Sequence, residues 1–254
     1  MRAFILGAGQ GTRLRPLTDD RPKCLVEVAG RSLLAWQHRA LAVAGVEDVT
    51  VIGGYRAEAI EAAGYRLLRN EQYASSNMVH SIYLALTATP PGEAALIVYG
   101  DIAFEPRLIE ALVGTSVDVA TVVDSTWHAY WRLRFGGALR NDLESLVLAP
   151  DHRVVRLGEE TDDLSQVDAR YVGLSLVTAD AVEQVKRAIE AGGVPSHLST
   201  TELLQRRIDD GRRVFAVPVQ HGWFEVDSVA DLELIERLHA AGTLAPICDL
   251  GVLA

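Results

Sequence analysis

The chain has 254 residues, 49% of them apolar, enough for one large α/β core or two small ones. A formal net charge of −10 argues against broad binding to nucleic acid or an anionic membrane, while leaving room for a local basic pocket. Cys24 and Cys248 stand far apart without metal-thiolate spacing, the opening apolar run is too short for a signal peptide, and no stretch reaches membrane-spanning length; a soluble, cytoplasmic, disulfide-free protein is expected.

Residues 2–6 (RAFIL) read as a short buried strand running into a glycine loop. Residues 32–45 show helical apolar spacing and stop at Gly45. A strand over 48–54 (DVTVIGG) leads into glycines, a weaker one covers 65–68, and 77–88 is predicted as a helix. Residues 94–101 (AALIVYGD) form a strong buried strand ending in a carboxylate, and 117–123 (VDVATVV) form another. Residues 126–164 differ, with many arginines, few long helices and two strand-like runs, SLVLAP and RVVRLG. They read as an excursion from the sheet at about 124–170. Residues 171–178 return to the sheet, helices follow at 180–191 and 200–210, then a strand at 213–219 (RVFAVPV) and a last helix ending near Gly242. The apolar tail packs either internally or against another subunit, so a homo-oligomer remains open. The alternation predicts a doubly wound, Rossmann-like, mostly parallel α/β sheet in one domain, 1–254, with a small insert.

The segment LGAGQGTRLRPLTDDRPKCLVEV, residues 6–28, holds Gly7, Gly9 and Gly11. A dinucleotide fingerprint needs a third glycine where Thr12 stands, and Pro16 and Pro22 interrupt an immediate helix. A P-loop needs Gly-Lys-Ser/Thr, which is absent. What remains is a loop whose backbone amides face an anion, with Arg13 suited to bidentate phosphate contacts and Lys23 supplying a compact charge. A tight turn with surface arginines is the plainer alternative.

The pattern Gly7, Gly9, Gly11, Thr12, Arg13, Leu14, Pro16, Leu17, Thr18, Pro22, Lys23, Leu25 resembles the signature of the nucleotidyltransferase superfamily, which makes NDP-sugars and CDP-alcohols from a nucleoside triphosphate and a phosphorylated acceptor. The resemblance implies the nucleotidyltransferase fold, with nucleotide contacts from Leu6, Gly7, Ala8, Gly9, Gly11, Thr12, Arg13, Gly54 and Gly100, and catalytic roles for Lys23 and Arg13. Such chemistry builds negative charge on the α-phosphate and on pyrophosphate, which Mg²⁺ held by one or two carboxylates offsets. Asp101, closing its strand after Gly100, is one candidate ligand; capping a turn before Pro106 is its alternative role. Asp227 is placed as the second ligand by the resemblance, although Asp227 or Ser228 also suits the cap of the following helix. Glu225 is expected to face away, and His80 to be an ordinary helix histidine rather than a base. No base is required, because a phosphate or phosphonate acceptor is already an oxyanion near neutral pH.

NMVHSIYLAL, residues 77–86, is similar to the phosphocholine-cytidylyltransferase-like branch, which also holds phosphonate cytidylyltransferases. Asn77 and Ser81, one helical turn apart, suit a cytosine edge, and Asn77 also suits an N-cap. Gly53 and Tyr55 flank the same region. In the excursion, Trp127, Tyr130 and Trp131 suit an aromatic cage for a quaternary ammonium, whereas Arg132, Arg134 and Arg140 suit a multiply anionic acceptor; a core role for the aromatics is the alternative. The arginine excess favours a phosphono-acid over phosphocholine, and Glu144 matches a later acidic residue of the branch. The expected activity is CMP transfer from CTP to such an acceptor. A sugar-1-phosphate nucleotidyltransferase and a non-catalytic nucleotide-sensing subunit are the alternatives.

Overall fold

In the strand Arg2–Gly7, Ala3 and Ile5 face one core and Phe4 the other, and all three are buried. Leu96 and Val98 alternate with Ala95 and Ile97 in the same way. This is the period-2 pattern of a sheet covered on both faces. The computed structural model describes residues 1–140, 142–193 and 197–253. Its main sheet has seven strands in the order Phe215–Val219, Val119–Asp124, Arg170–Val177, Ala95–Tyr99, Arg2–Gly7, Val49–Gly53, Leu67–Arg69. Neighbours pair in parallel except Arg170–Val177, which is antiparallel to both Ala95–Tyr99 and Val119–Asp124. The mixed, mostly parallel sheet is the architecture expected from the sequence.

Helices Leu33–Val43, Pro106–Val113, His128–Arg134 and Val229–Ala240 pack on one face, and Met78–Ala88, Ala179–Ala188 and Thr200–Asp209 on the other. The predicted helices end within a few residues of these bounds. Ala57–Ala62, Pro106–Val113 and His128–Arg134 went unpredicted; all three are short, and the second starts on a proline that fits its first turn. The excursion leaves the sheet after Asp124 and rejoins it at Arg170. SLVLAP and RVVRLG form its antiparallel hairpin, Glu144–Leu148 with Val154–Glu160. The tail packs internally: Leu244, Ile247, Cys248, Leu250 and Leu253 are buried in the first core. Cys24 and Cys248 are both free and buried. No helix among the described residues is long and apolar enough to cross a membrane.

A second, short pairing positions the functional end of the sheet. Ile102–Phe104 runs antiparallel to Trp223–Glu225, with Ile102 opposite Glu225, and Val226 N donates to Asp101 O at 2.9 Å. Asp101 and Asp227 therefore meet although they lie far apart in sequence. The pairing is pinned by Asp124, whose side chain is wholly buried. Its Oδ1 accepts from Thr126 N and Oγ1, both at 2.8 Å, and from His221 N at 3.2 Å, while Oδ2 accepts from Trp223 Nε1 at 3.1 Å. Leaving a buried donor unpaired costs about 1–3 kcal/mol. Asp124→Ala, which strips two segments at once, is expected to lower the unfolding free energy in urea by about 2–5 kcal/mol. A change below about 0.5 kcal/mol, the range of neutral surface substitutions, would show that Asp124 holds nothing.

Candidate active site

The glycine loop opens where the first strand ends. Gly100 crosses that strand so closely that a Cβ there would lie 2.5 Å from Leu6 O. Gly11 has φ +63°, the left-handed region that favours glycine, and a Cβ on it would meet Lys23 Cβ at 2.9 Å. Its carbonyl accepts from the buried Thr18 hydroxyl at 2.8 Å and from Leu14 N at 2.9 Å. These constraints fold residues 11–25 back so that Lys23 lies along the loop. Tyr55 reinforces the fold: its hydroxyl reaches Thr18 O and Asp19 O at 3.0 Å, and its amide donates to Ala8 O.

Lys23 Nζ donates to Asp101 Oδ2 at 2.8 Å and to Asp227 Oδ1. Burial works hardest against its charge, yet the two carboxylates outweigh burial and hold its pKa above the ordinary lysine value. For Asp227, burial pushes the pKa up, but Lys23, then Arg13 and Arg134, bring it below the usual carboxylate range. Arg13 Nη2 lies 3.4 Å from Asp227 Oδ1, with its side chain 68% exposed and so open to a ligand. Ser228, not Asp227, caps the last helix: its hydroxyl accepts from Asp231 N, while Asp231 Oδ2 accepts from the amides of Asp227 and Ser228. That division leaves the Asp227 carboxylate free to face Lys23. Asp101 Oδ1 is buried without a hydrogen-bond partner among the described residues.

Glu225 corrects the expectation that it faces away. Residues two apart on an extended chain share a face, and Glu225 is close enough to Asp227 and Asp101 that both raise its pKa. With burial as the main cause, it rises to about 7, against the pull of Arg134 and Arg170. Its carboxylate pairs with Arg134 Nη1, and its backbone amide donates to the Tyr130 hydroxyl at 3.1 Å.

Arg134 also grips Asp231, with Nε to Oδ1 at 2.9 Å and Nη2 to Oδ2 at 3.2 Å. Its side chain is only 2% exposed, so its charge is spent on the frame of the site rather than on an incoming acceptor. The aromatic cage is corrected as well. Trp127, Tyr130 and Trp131 are fully buried in the first core, the Trp127 ring stacks on His128 at 3.9 Å between centroids, and no open cage forms. The excursion's apolar side chains seal the helix His128–Arg134 onto the sheet, which is why three aromatics in an arginine-rich segment end up inside. Arg132 and Arg140 are exposed, and Arg140 lines an open groove with Asp142, Glu144 and Glu160. The structure brings neither to the Lys23 cluster.

On the other side of the loop, Leu6, Ala8 and Gly9 share a cavity of about 100 Å³ with Asn70, Ser76, Asn77 and Ser81. Asn77 Oδ1 accepts from Met78 N at 2.8 Å as the N-cap of its helix, and Ser81 is buried, receiving Asn70 Nδ2 at 3.1 Å. Asn70 escaped the sequence reading because it follows a weak three-residue strand. In the structure it also accepts from Gln72 N and organises the cavity wall. Gly54 lies against Tyr73, another wall residue, and His80 sits beside Tyr83 on the helix. Arg170, likewise missed, stacks on Trp131 at 4.3 Å.

Comparison with known proteins places the chain in a family and supports its fold. The chain is 28% identical over 251 residues to CTP:phosphoglutamine cytidylyltransferase of Campylobacter jejuni, spanning 92% of this chain and 98% of that one. It is 30% identical over 248 residues to a glucose-1-phosphate thymidylyltransferase of Streptomyces antibioticus, spanning 93% and 65%. The fold superposes on CTP:phosphocholine cytidylyltransferase from Streptococcus pneumoniae with a TM-score of 0.68 at 24% identity, over 93% of this chain and 98% of that one. A profile of the MobA-like NTP transferase domain matches residues 3–164, and the chain belongs to that family of nucleotidyltransferases.

Proposed function

We propose that the protein transfers CMP from CTP to a small phosphate or phosphonate acceptor and releases pyrophosphate. The observation that carries this reading is Lys23 Nζ set between Asp101 and Asp227 at the mouth of the glycine loop. The loop amides and Arg13 receive the triphosphate, and Lys23 meets the charge that grows at the α-phosphorus. The acceptor oxyanion attacks in line, its oxygen forms the new P–O bond, and the α–β bond breaks to free pyrophosphate. No proton has to move, so the work is positioning and charge stabilisation.

Cytosine fits the cavity beside Leu6 and Gly9. Asn77 Oδ1 is committed to the helix cap, which leaves its amide nitrogen as a donor, and Ser76 and Ser81 add hydroxyls. The full-length similarity to a CTP-using enzyme supports the same base.

Asp101 and Asp227 are the proposed holders of Mg²⁺. The unpartnered Asp101 Oδ1 fits a cation, and two carboxylates match an ion that takes its other ligands from phosphates and water. No group of three or more metal-binding side chains occurs among the described residues, so the substrate would complete the shell. When bound, the ion supplies Lewis-acid neutralisation of the phosphates. Asp101→Asn is expected to abolish pyrophosphate release while keeping a cooperative melting transition. Full turnover in this variant would rule out the metal assignment.

The thymidylyltransferase relative favours a second reading, an NDP-sugar synthase. Melting the protein against a panel of nucleoside triphosphates separates the two. A nucleotide at 100 times its Kd adds about 2.7 kcal/mol to stability. CTP with Mg²⁺ is expected to raise Tm most, and a larger rise with dTTP or UTP would favour the sugar reading. Pyrophosphate release with an acceptor distinguishes either enzyme from a nucleotide sensor.

A further inference from the structure

Two guanidinium groups rest on one indole. Arg134 lies 4.9 Å and Arg170 4.3 Å from the Trp131 ring centroid. Arg134 is neutralised by contact with Glu225 and Asp231. The Arg170 side chain makes no hydrogen bond or ion pair among the described residues, and its Nε is buried without a partner. Burial pulls the Arg170 pKa below the ordinary arginine value. Glu225, Asp142 and Glu144 act on it through space and push the other way, without touching it. A guanidinium whose Nε is shut from water without a hydrogen bond carries a desolvation cost that a well-placed anion offsets.

Position narrows the anion. Arg170 opens the antiparallel strand Arg170–Val177, opposite Asp124 in register, at the end of the sheet where the parallel strands finish. Arg170 shares the Trp131 ring with Arg134, which pairs with Glu225 two residues before Asp227, so Arg170 borders the same site. The nucleotide side of that site is the glycine loop and the Asn70 cavity, which leaves Arg170 on the acceptor side. On the proposed mechanism Lys23 meets the charge at the reacting phosphorus, and Arg13 the triphosphate. A second cation would read a second anionic group, and the planar fork of an arginine held flat on a ring matches a carboxylate.

We propose that Arg170 is a specificity-determining residue that binds a carboxylate carried by the acceptor away from its phosphorus. This rests on the nucleotidyl-transfer reading above and names the acceptor class: phosphonates or phosphates bearing a carboxylic acid.

The test uses the full chain, wild type, Arg170→Gln and Arg170→Lys, with two acceptors of similar size, 3-phosphonopropionate and butylphosphonate. Binding is read by calorimetry and by Tm, and turnover by pyrophosphate release with CTP and Mg²⁺. Wild type is expected to bind 3-phosphonopropionate at least tenfold more tightly than butylphosphonate. Arg170→Gln should erase that preference, raising KM for the carboxylated acceptor about tenfold or more with a smaller change in kcat. Arg170→Lys should restore part of the preference. Equal affinity of wild type for the two acceptors, or equal losses for both in Arg170→Gln, would overturn the proposal. If no nucleotide supports turnover, the transfer reading fails, while the binding comparison still decides the role of Arg170.

Discussion

The ammonium of Lys23 joins two carboxylates that would otherwise repel each other, and most of the functional end of the fold exists to permit that contact. Asp101 comes from the turn after a central strand, Asp227 from the entry to the last helix, and Lys23 from a turn that folds back along the glycine loop. Each arrives through a separate constraint. Gly100 lets the first strand pass within contact of the Asp101 turn, and Gly11 makes room for the stem of Lys23. Gln37, fully buried, donates to Tyr99 O and Ile102 O at 2.7 Å and so fixes the backbone on both sides of Asp101. Losing any one would leave a charged group in a partly dry site without its counterpart, which is costlier than never burying it.

Around this cluster lies a second set of charges. Asp231 holds the amides of Asp227 and Ser228 with one oxygen and shares both oxygens with Arg134, which in turn meets Glu225. Helix capping, strand pairing and site electrostatics thereby pass through one carboxylate. The consequence is rigidity: the groups proposed to face a triphosphate are already held in place, which would limit reorganisation as charge develops. Arg13 differs, since it is mostly exposed and touches only the edge of the cluster, as suits a side chain that swings onto a ligand.

The sequence was most informative where a local pattern carries the structure. Period-2 apolar runs marked the central strands, and the crowded glycines, Pro22 and Lys23 marked the loop because each answers a short-range steric demand. Asp101 was legible as a candidate by its position after a strand, and Asp227 through the family resemblance. Their closeness was not, because it depends on a three-residue ladder between Ile102–Phe104 and Trp223–Glu225, too short and too distant in sequence to leave a pattern. Trp127 and Trp131 misled for a related reason. Their spacing suited a ligand cage as well as a core, and the arginines beside them either sit on the rings, as Arg134 does, or are exposed, as Arg132 is. Arg170 begins an ordinary sheet strand, and nothing local separates it from the other arginines of the excursion; its buried Nε, without a hydrogen-bond partner among the described residues, does.

Asp101 and Asp227, held by Lys23, are the proposed seat of a triphosphate together with a divalent cation. Calorimetric titration of CTP into the protein, with and without Mg²⁺, tests this most directly when wild type is compared with a variant carrying both Asp101→Asn and Asp227→Asn. Affinity in the wild type should rise steeply with Mg²⁺, and the double variant should bind CTP with little dependence on the ion. Wild-type binding that is indifferent to Mg²⁺, or a double variant that keeps the full dependence, would contradict it.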